Sequence, residues 1–322
     1  MGTLRQKLRY LRYKLQAPLT RTITSAQATP GPNQRDIWSI AIYTGTSPLD
    51  INPISEDNKP ALTSQDVKDV RADFVADPFM IQKGGEWYMF FEVLNHDTQR
   101  GQIAFATSKD GLQWTYRNII LDEPFHLSYP YVFEWEDEHY MIPETHQARA
   151  VRLYKARNFP YQWEFVRNLI KDIELADASP VYYDHHWWLF AGAGQNWHSS
   201  ELRLYHSKDL QGPWIEHPKS PIIHENSHIS RPAGRILNQG GKIYRLAQNC
   251  KPLYGQSVTA FEILKMTKTH YQENVILRKP IVQASGNAWN SNGMHHMDAH
   301  QIEKNLWRAC VDGWTWGNTT HQ

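Results

Sequence analysis

Asp77 precedes Pro78 in Val75-Ala-Asp-Pro-Phe-Met-Ile, and Glu92 closes the apolar run that follows, Trp87-Tyr-Met-Phe-Phe-Glu. Corresponding places are held by Tyr129-Pro130 with Glu144, by Ser179-Pro180 with Asp177 two residues earlier, and by Arg231-Pro232 with Gln248. Two carboxyl groups, one ionised and one kept protonated by its surroundings, can activate a hydroxyl and protonate a leaving oxygen. The spacing therefore assigns acid and base chemistry to Asp77, Glu144 and Asp177. Asp77 is read as the base and Glu144 as the acid, with Asp177 and Glu92 as substitutes in the acid role. Tyr129, Ser179, Arg231, Gln248 and Glu92 are read as substrate contacts.

A sixth contact comes from His295-His-Met-Asp-Ala-His. Period-two alternation sets His296, Asp298 and His300 on one strand face, about 7 Å apart, which is awkward for a compact three-ligand metal site. His296 is therefore read as an axial group touching substrate, water or a bound cation; no other cofactor is expected.

These residues need a scaffold that brings five distant segments together, and the chain repeats itself in a way that supplies one. Pro78, Pro130, Pro180 and Pro232 recur every 50 to 52 residues, each at a strand entrance. After each comes a polar turn and a second apolar strand: Trp87-Tyr-Met-Phe-Phe, His139-Tyr-Met-Ile, Trp187-Trp-Leu-Phe and Lys242-Ile-Tyr-Arg-Leu. A third strand follows in every unit, and turns such as Ser108-Lys-Asp-Gly-Leu-Gln-Trp lead to a fourth. A fifth unit begins near Met294, and the chain ends before it can supply its own third strand. Asp36-Ile-Trp-Ser-Ile-Ala-Ile-Tyr has the third-strand pattern and is otherwise unemployed, so it is expected to complete the last unit. Four strands per repeat with regular turn signals predict an all-β, five-bladed β-propeller over residues 36–322, closed without free edges by its own N-terminal strand.

Composition narrows the function. Of 322 residues, 41% are hydrophobic and 21% charged, the balance of a soluble globule with a substantial core. Net charge is +1, and no basic run in the body of the chain is interleaved with exposed aromatics, so nucleic acid is not an expected partner. The 13 Trp and 16 Tyr suit pleated, half-buried surfaces and also offer flat faces to sugar rings; Trp197, Trp289, Trp314 and Trp316, in Gly- and Asn-rich surroundings, could rim the axis. Two cysteines, Cys250 and Cys310, form no Cys-x-x-Cys pair, which points to a reduced compartment. With no apolar run of about 18 residues and no secretory apolar core, a cytoplasmic location is expected.

In these motifs the sequence resembles the five-bladed propeller glycosidases of the arabinanase and β-xylosidase type. More closely, Ala76-Asp-Pro-Phe-Met with Phe90-Phe-Glu, and Ser128-Tyr-Pro with Met141-Ile-Pro-Glu, resemble the propeller-like N-terminal domain of glucosamine inositolphosphorylceramide transferases, over roughly residues 36–316. The glycosidase resemblance implies three axial carboxylates: a base, a modulator and an acid. Asp77 matches the base. Tyr129 stands where a modulating Asp belongs, and Ala178-Ser179 stands where the third carboxylate belongs, with Asp177 slightly displaced. The resemblance implies a carbohydrate or glycolipid substrate, handled by hydrolysis or glycosyl transfer. A non-catalytic glycan-binding module working with a glycosyltransferase partner is the alternative. No Asp-x-Asp motif supports a metal-dependent nucleotide-sugar site.

Residues 1–35 have a different character. Leu4, Leu8, Leu11 and Leu15 recur at helical spacing among Arg5, Lys7, Arg9, Arg12 and Lys14, followed by a Pro- and Gly-containing linker over 26–34. Such a basic amphipathic helix either lies peripherally on an anionic membrane or packs on the propeller. Sedimentation with anionic vesicles separates the two. A lipid role expects binding to be lost when residues 1–20 are removed, whereas a packing role expects equal sedimentation and a lower melting temperature.

Overall fold

The computed structural model describes residues 34–54, 57–194, 200–276 and 279–318; the expected helix and most of the linker lie outside them, as does Trp197. Strands in the described residues form five antiparallel sheets, and the sheets follow the repeat. Blade 1 comprises Ala72–Lys83, Glu86–Asn95, Arg100–Ser108 and Thr115–Leu121. Blade 2 comprises Ser128–Trp135, Glu138–Glu144, Ala150–Asn158 and Gln162–Lys171. Blade 3 comprises Ala176–Tyr183, His186–Ala193, Glu201–Ser207 and the short Ile215–Glu216. In blade 4 the first strand is broken into Arg231–Pro232 and Leu237–Gln239, which pair with Lys242–Asn249; Ser257–Thr267 and His270–Val275 complete it.

Blade 5 is built from both ends of the chain. Met297–Glu303 pairs with Leu306–Asn318, and the latter pairs from Gln34↔Asn318 to Gly45↔Trp307 with the N-terminal strand Gln34–Ser47. The N-terminal segment supplies the expected third strand and, through Asp50–Pro53, the fourth as well.

Alternating apolar residues make the cores between neighbouring blades. Phe79, Phe90, Tyr131, Met141, Leu153 and Leu189 fill the space shared by blades 1, 2 and 3. Trp188, Phe190, Leu204 and Ile243 join blade 3 to blade 4, and Leu246, Val258, Met297 and Trp307 join blade 4 to blade 5. Ile40, Ile42, Met80, Met89 and Cys310 close the ring between blades 5 and 1. Both cysteines are buried free thiols. Among the described residues no helix is long and apolar enough to cross a membrane.

The lower part of the axis is filled. Phe79 lies edge-on to Tyr129 at 4.8 Å and to His296 at 4.6 Å. The Tyr129 hydroxyl accepts from Gly234 N at 2.7 Å and meets Ser179 Oγ at 2.8 Å. Gly234 can have no side chain here, because at φ +129° a Cβ would lie 1.8 Å from Met297 O. Below this plug Arg235 donates to Asp298 at 2.6 Å and to Val132 O at 2.9 Å, linking blades 4, 5 and 2.

Closure by the N-terminal strand sets a test of the fold. Ile40 is fully buried between the first and last blades. Ile40→Ala is expected to lower the urea-unfolding free energy by about 2–5 kcal/mol with an unchanged m-value.

Candidate functional site

Three blades place a non-glycine residue in left-handed conformation at the axis: Asp77 at φ 54°, Tyr129 at φ 46° and Asp177 at φ 52°. Each lies in a bulge of the first strand, where pairing skips from Ala76 to Phe79, from Ser128 to Tyr131 and from Ala176 to Ser179. A left-handed non-glycine residue costs on the order of 1–3 kcal/mol, so three at equivalent places mark a built feature. The bulge also corrects the proline-based register of the third repeat. Asp177, not Ser179, is the counterpart of Asp77 and Tyr129, and Ser179 lies in the plug, donating to Asp177 O at 3.1 Å.

The second strands deliver the next ring. Ala76 pairs with Glu92, Ser128 with Glu144 and Arg231 with Gln248, so these side chains reach the axis beside the bulges. In blade 5 the acidic residue is Asp312, next to the core residue Val311. The signal was present: Cys310-Val-Asp repeats the pattern of Phe90-Phe-Glu and Ile142-Pro-Glu, two apolar residues and then an acid.

Carboxylates of this ring accept backbone N–H groups from the following blade. Asp312 accepts from Asp77 N at 2.9 Å, Asp77 from Tyr129 N at 3.2 Å and Glu144 from Asp177 N at 3.2 Å. Arg231 spans blades 2, 3 and 4, donating from Nε to Asp177 at 2.6 Å and from Nη2 to Glu144 at 3.4 Å. Gln248 donates to Asp177 at 2.9 Å. Tyr254 lies over the Arg231 guanidinium at 5.1 Å and edge-on to His295 at 5.3 Å.

Two histidines back the outer carboxylates. His146 Nδ1 is 2.7 Å from Glu144, and His126 Nε2 is 3.1 Å from Glu92. His126 Nδ1 accepts from Gly101 N, so its proton is on Nε2, facing Glu92. Burial lowers the His126 pKa most, but the charge and hydrogen bond of Glu92 together with the Glu144 charge make the net shift upward.

One arginine among this many acids leaves a deficit of positive charge, and the carboxyls divide accordingly. Burial pushes Asp77 well above the usual carboxylate range, helped by repulsion from Asp312, Asp177 and Glu92 and only partly offset by Arg231. Burial also lifts Asp177, against the pull of Arg231 and with repulsion from Glu144, to about 7. Glu144 goes the other way: burial opposes its charge, but the His146 hydrogen bond and the Arg231 charge hold it below its ordinary value. Asp312 is likewise held low by His295 despite burial. This distribution favours the protonated form of Asp77 and the ionised form of Glu144.

His295 joins the expected contact His296 beside Asp77. His295 Nδ1 is 2.8 Å from Asp312 Oδ1 and its Nε2 is 3.6 Å from Asp77 Oδ1, while its ring stacks on Trp38 at 4.1 Å. His296 is deeper, with Nε2 2.9 Å from Pro78 O. Asp298 and His300 are paired with each other at 3.0 Å and belong to the Arg235 network below the plug, away from Asp77. Of the expected aromatic rim, Trp314 is core against Trp38, and Trp289 and Trp316 are half-buried. Ligand atoms of Asp77, His295 and Asp312 lie within 4.8 Å of one another, the arrangement a cation would need. Both Asp312 oxygens and His295 Nδ1 already hydrogen-bond within the cluster, so a cation here competes with those bonds.

A five-bladed propeller with carboxylates gathered at its axis has the fold of propeller glycosidases. The catalytic domain of a family 62 α-L-arabinofuranosidase from Coprinopsis cinerea superposes with a TM-score of 0.58 at 10% identity, covering 87% of this chain and 97% of that one. A family 117 glycoside hydrolase from Zobellia galactanivorans gives 0.52 at 13% identity, covering 85% and 90%. At such identities the likeness is one of fold. The sequence is more specific: residues 31–314 match the family model "Glucosamine inositolphosphorylceramide transferase 1, N-terminal", and the chain belongs to that family. Glucosamine inositolphosphorylceramide transferase 1 of Oryza sativa subsp. japonica is 37% identical over 305 residues, which is 88% of this chain and 40% of the relative. The chain thus spans about two fifths of the length of that relative.

The raised carboxyls predict an unusual pH dependence. Asp77 and Asp177 bind protons more tightly folded than unfolded, so their contribution is complete below about pH 4 and is lost as pH rises through their folded values. Glu144 and Asp312 act oppositely, below the ordinary carboxylate range. Urea-unfolding stability is expected to fall by roughly 1–3 kcal/mol between pH 5.5 and pH 8. Asp77→Asn, which keeps an acceptor for Tyr129 N, should be the more stable protein at pH 8, with a shallower slope.

Proposed function

We propose that this chain is carbohydrate-active and handles a glycosyl residue at the open end of the propeller axis, with Asp77 as its proton-transferring carboxyl. The single observation behind this reading is Asp77 itself. It is held in a strained left-handed bulge, buried among like charges and biased toward its protonated form, an arrangement that costs more stability than its one backbone contact to Tyr129 N requires. A protonated carboxyl at a sugar site can protonate a departing glycosidic oxygen; once ionised it can accept a proton from an incoming hydroxyl. Ionised Glu144 and the Arg231–Asp177 pair fix the field around it, and Glu92, Gln248 and Tyr254 offer polar and aromatic contacts. Tyr129, Ser179 and His296 shape the floor.

Transfer is the version of this chemistry that fits the relatives, whose name specifies a glucosamine inositolphosphorylceramide transferase. The acceptor in this reading is a glycolipid, and the chain works beside a glycosyltransferase partner, at the membrane where residues 1–20 provide contact. Hydrolysis is the same acid and base steps with water as acceptor. The binding-only alternative draws on one observation: Arg231 ties down Glu144 and Asp177, leaving Asp77 without a second carboxyl free to exchange its role.

Incubation with oligosaccharides, aryl glycosides and nucleotide sugars, followed by NMR of products, tests the proposal. Donor consumption only in the presence of acceptor indicates transfer, and free sugar indicates hydrolysis. Asp77→Asn is expected to lower either rate by about 100-fold or more. Turnover untouched by that substitution would remove Asp77 from the chemistry, and saturable binding without turnover would leave a binding module.

A further inference from the structure

Acids on the second strands share one structural task. Asp312 of blade 5 accepts Asp77 N of blade 1, and Glu144 of blade 2 accepts Asp177 N of blade 3. By the same rule Glu92 of blade 1 would accept Tyr129 N of blade 2, but Asp77 Oδ2 takes that bond at 3.2 Å. Glu92 is thereby released from holding the ring together. It is buried nonetheless, its side chain only 7% exposed, and Oε1 has no aligned hydrogen-bond donor among the described residues. His126 Nε2 lies 3.1 Å from that oxygen at an angle too bent for a full hydrogen bond, so it satisfies Oε1 only in part.

The surroundings fix Glu92 in place without using it. Gly101 N donates to His126 Nδ1 at 2.9 Å, His126 N donates to Gln147 Oε1 at 2.9 Å, and Leu127 N donates to Gly101 O at 3.0 Å. Gly101 comes so close that a Cβ there would stand 2.8 Å from Glu92 Oε1 and 2.2 Å from Leu127 O. Arg231 pairs with Glu144 and Asp177, and neither ion pair includes Glu92. A buried carboxylate oxygen short of a donor costs stability, and a substrate hydroxyl is a donor that would meet the need. The Glu92 charge is also among those that bias Asp77 toward its protonated form, which places the two acids in one field.

We propose that Glu92 is the base that takes the proton of the incoming hydroxyl while Asp77 gives its proton to the departing glycosidic oxygen. The inference rests on the carbohydrate reading above and supplies the second group its chemistry needs, which Glu144 and Asp177, tied to Arg231, do not provide. The bond from the anomeric carbon to the departing oxygen breaks, and that oxygen leaves with the Asp77 proton. The incoming oxygen bonds to the same carbon from the other side and passes its proton to Glu92 Oε1. Glu92 then holds a proton and Asp77 a charge, and proton return through water resets both. A single displacement of this kind inverts the anomeric configuration.

Phenyl and 2,4-dinitrophenyl glycosides of hexoses, pentoses and hexosamines, in both anomers and with the full chain, separate the two roles; aryl release is followed by absorbance and products by NMR. Dinitrophenolate departs without an acid, whereas phenol needs a proton. Asp77→Asn is therefore expected to slow phenyl glycosides by about 100-fold and to spare dinitrophenyl glycosides, while Glu92→Gln is expected to slow both by about 100-fold. In Glu92→Ala, added azide, which attacks without giving up a proton, should restore aryl release and yield the inverted glycosyl azide; circular dichroism verifies folding. Inversion by the unaltered chain is expected, and that reading stands even if a variant does not fold. Retained configuration, an unchanged rate in Glu92→Gln, or a slow Glu92→Ala that azide does not restore would each overturn the base while leaving Asp77 and the carbohydrate reading in place. Glycosides that bind without turnover, or do not bind at all, would overturn it together with the catalytic reading.

Discussion

The axis is held by one repeated contact: a side-chain carboxylate of one blade accepts the backbone N–H at the bulge of the next. Asp312 does this for Asp77, Asp77 for Tyr129 and Glu144 for Asp177. Bulged backbone turns its N–H toward the channel, where no ladder partner exists, and a buried N–H must find an acceptor. Supplying that acceptor from the preceding blade fixes the angle between blades and brings carboxylates close together. The same bonds that close the ring therefore create its electrostatic problem. Arg231 relieves it most fully for Glu144, while burial and like charges raise the proton affinity of Asp77.

This coupling makes architecture and chemistry hard to separate at the axis. A carboxylate used only as a backbone acceptor could be replaced by an amide with a gain in stability, because the amide carries no charge to desolvate. Asp77 remains an acid in a place that penalises its ionisation, beside His295 and across from Arg231. Structural need accounts for the acceptor atom. It does not account for the titratable proton, and that residue of unexplained cost is what the functional reading uses.

Much of this was legible in the sequence because propeller blades repeat, and Pro78, Pro130, Pro180 and Pro232 mark the repeat at nearly constant spacing. The blade count and the closing role of the N-terminal strand followed from counting strands in the last unit. Legibility failed where backbone irregularity intervenes. In blades 1 and 2 the proline lies inside the bulge; in blade 3 Pro180 lies beyond it, paired with Leu189, so alignment on prolines matches Ser179 to Asp77 and leaves Asp177 two residues out of register. In blade 5 the first strand has no such proline, so repeat alignment leaves its register loose by one residue and does not single out Asp312 or His295. A one-residue slip in a strand exchanges core for axis, so small errors there change the chemistry outright. The protonation pattern was illegible for a different reason, since it depends on which acids share Arg231, and that is a property of the assembled ring.

The plug below the site connects these points. Tyr129 stands where blades 1 and 3 carry an aspartate, and its ring fills the channel against Phe79 and His296 while its hydroxyl joins Ser179 to Gly234. A third bulge aspartate would have added another buried charge beside Asp77 and Asp177 with no second arginine to meet it. Tyrosine keeps the bulge, supplies the backbone N–H that Asp77 Oδ2 accepts and removes the charge. By blocking the axis it also excludes water from beneath Asp77, which strengthens every electrostatic interaction above it. The departure from a carboxylate at this position thus gives the site its floor and limits its surplus of negative charge.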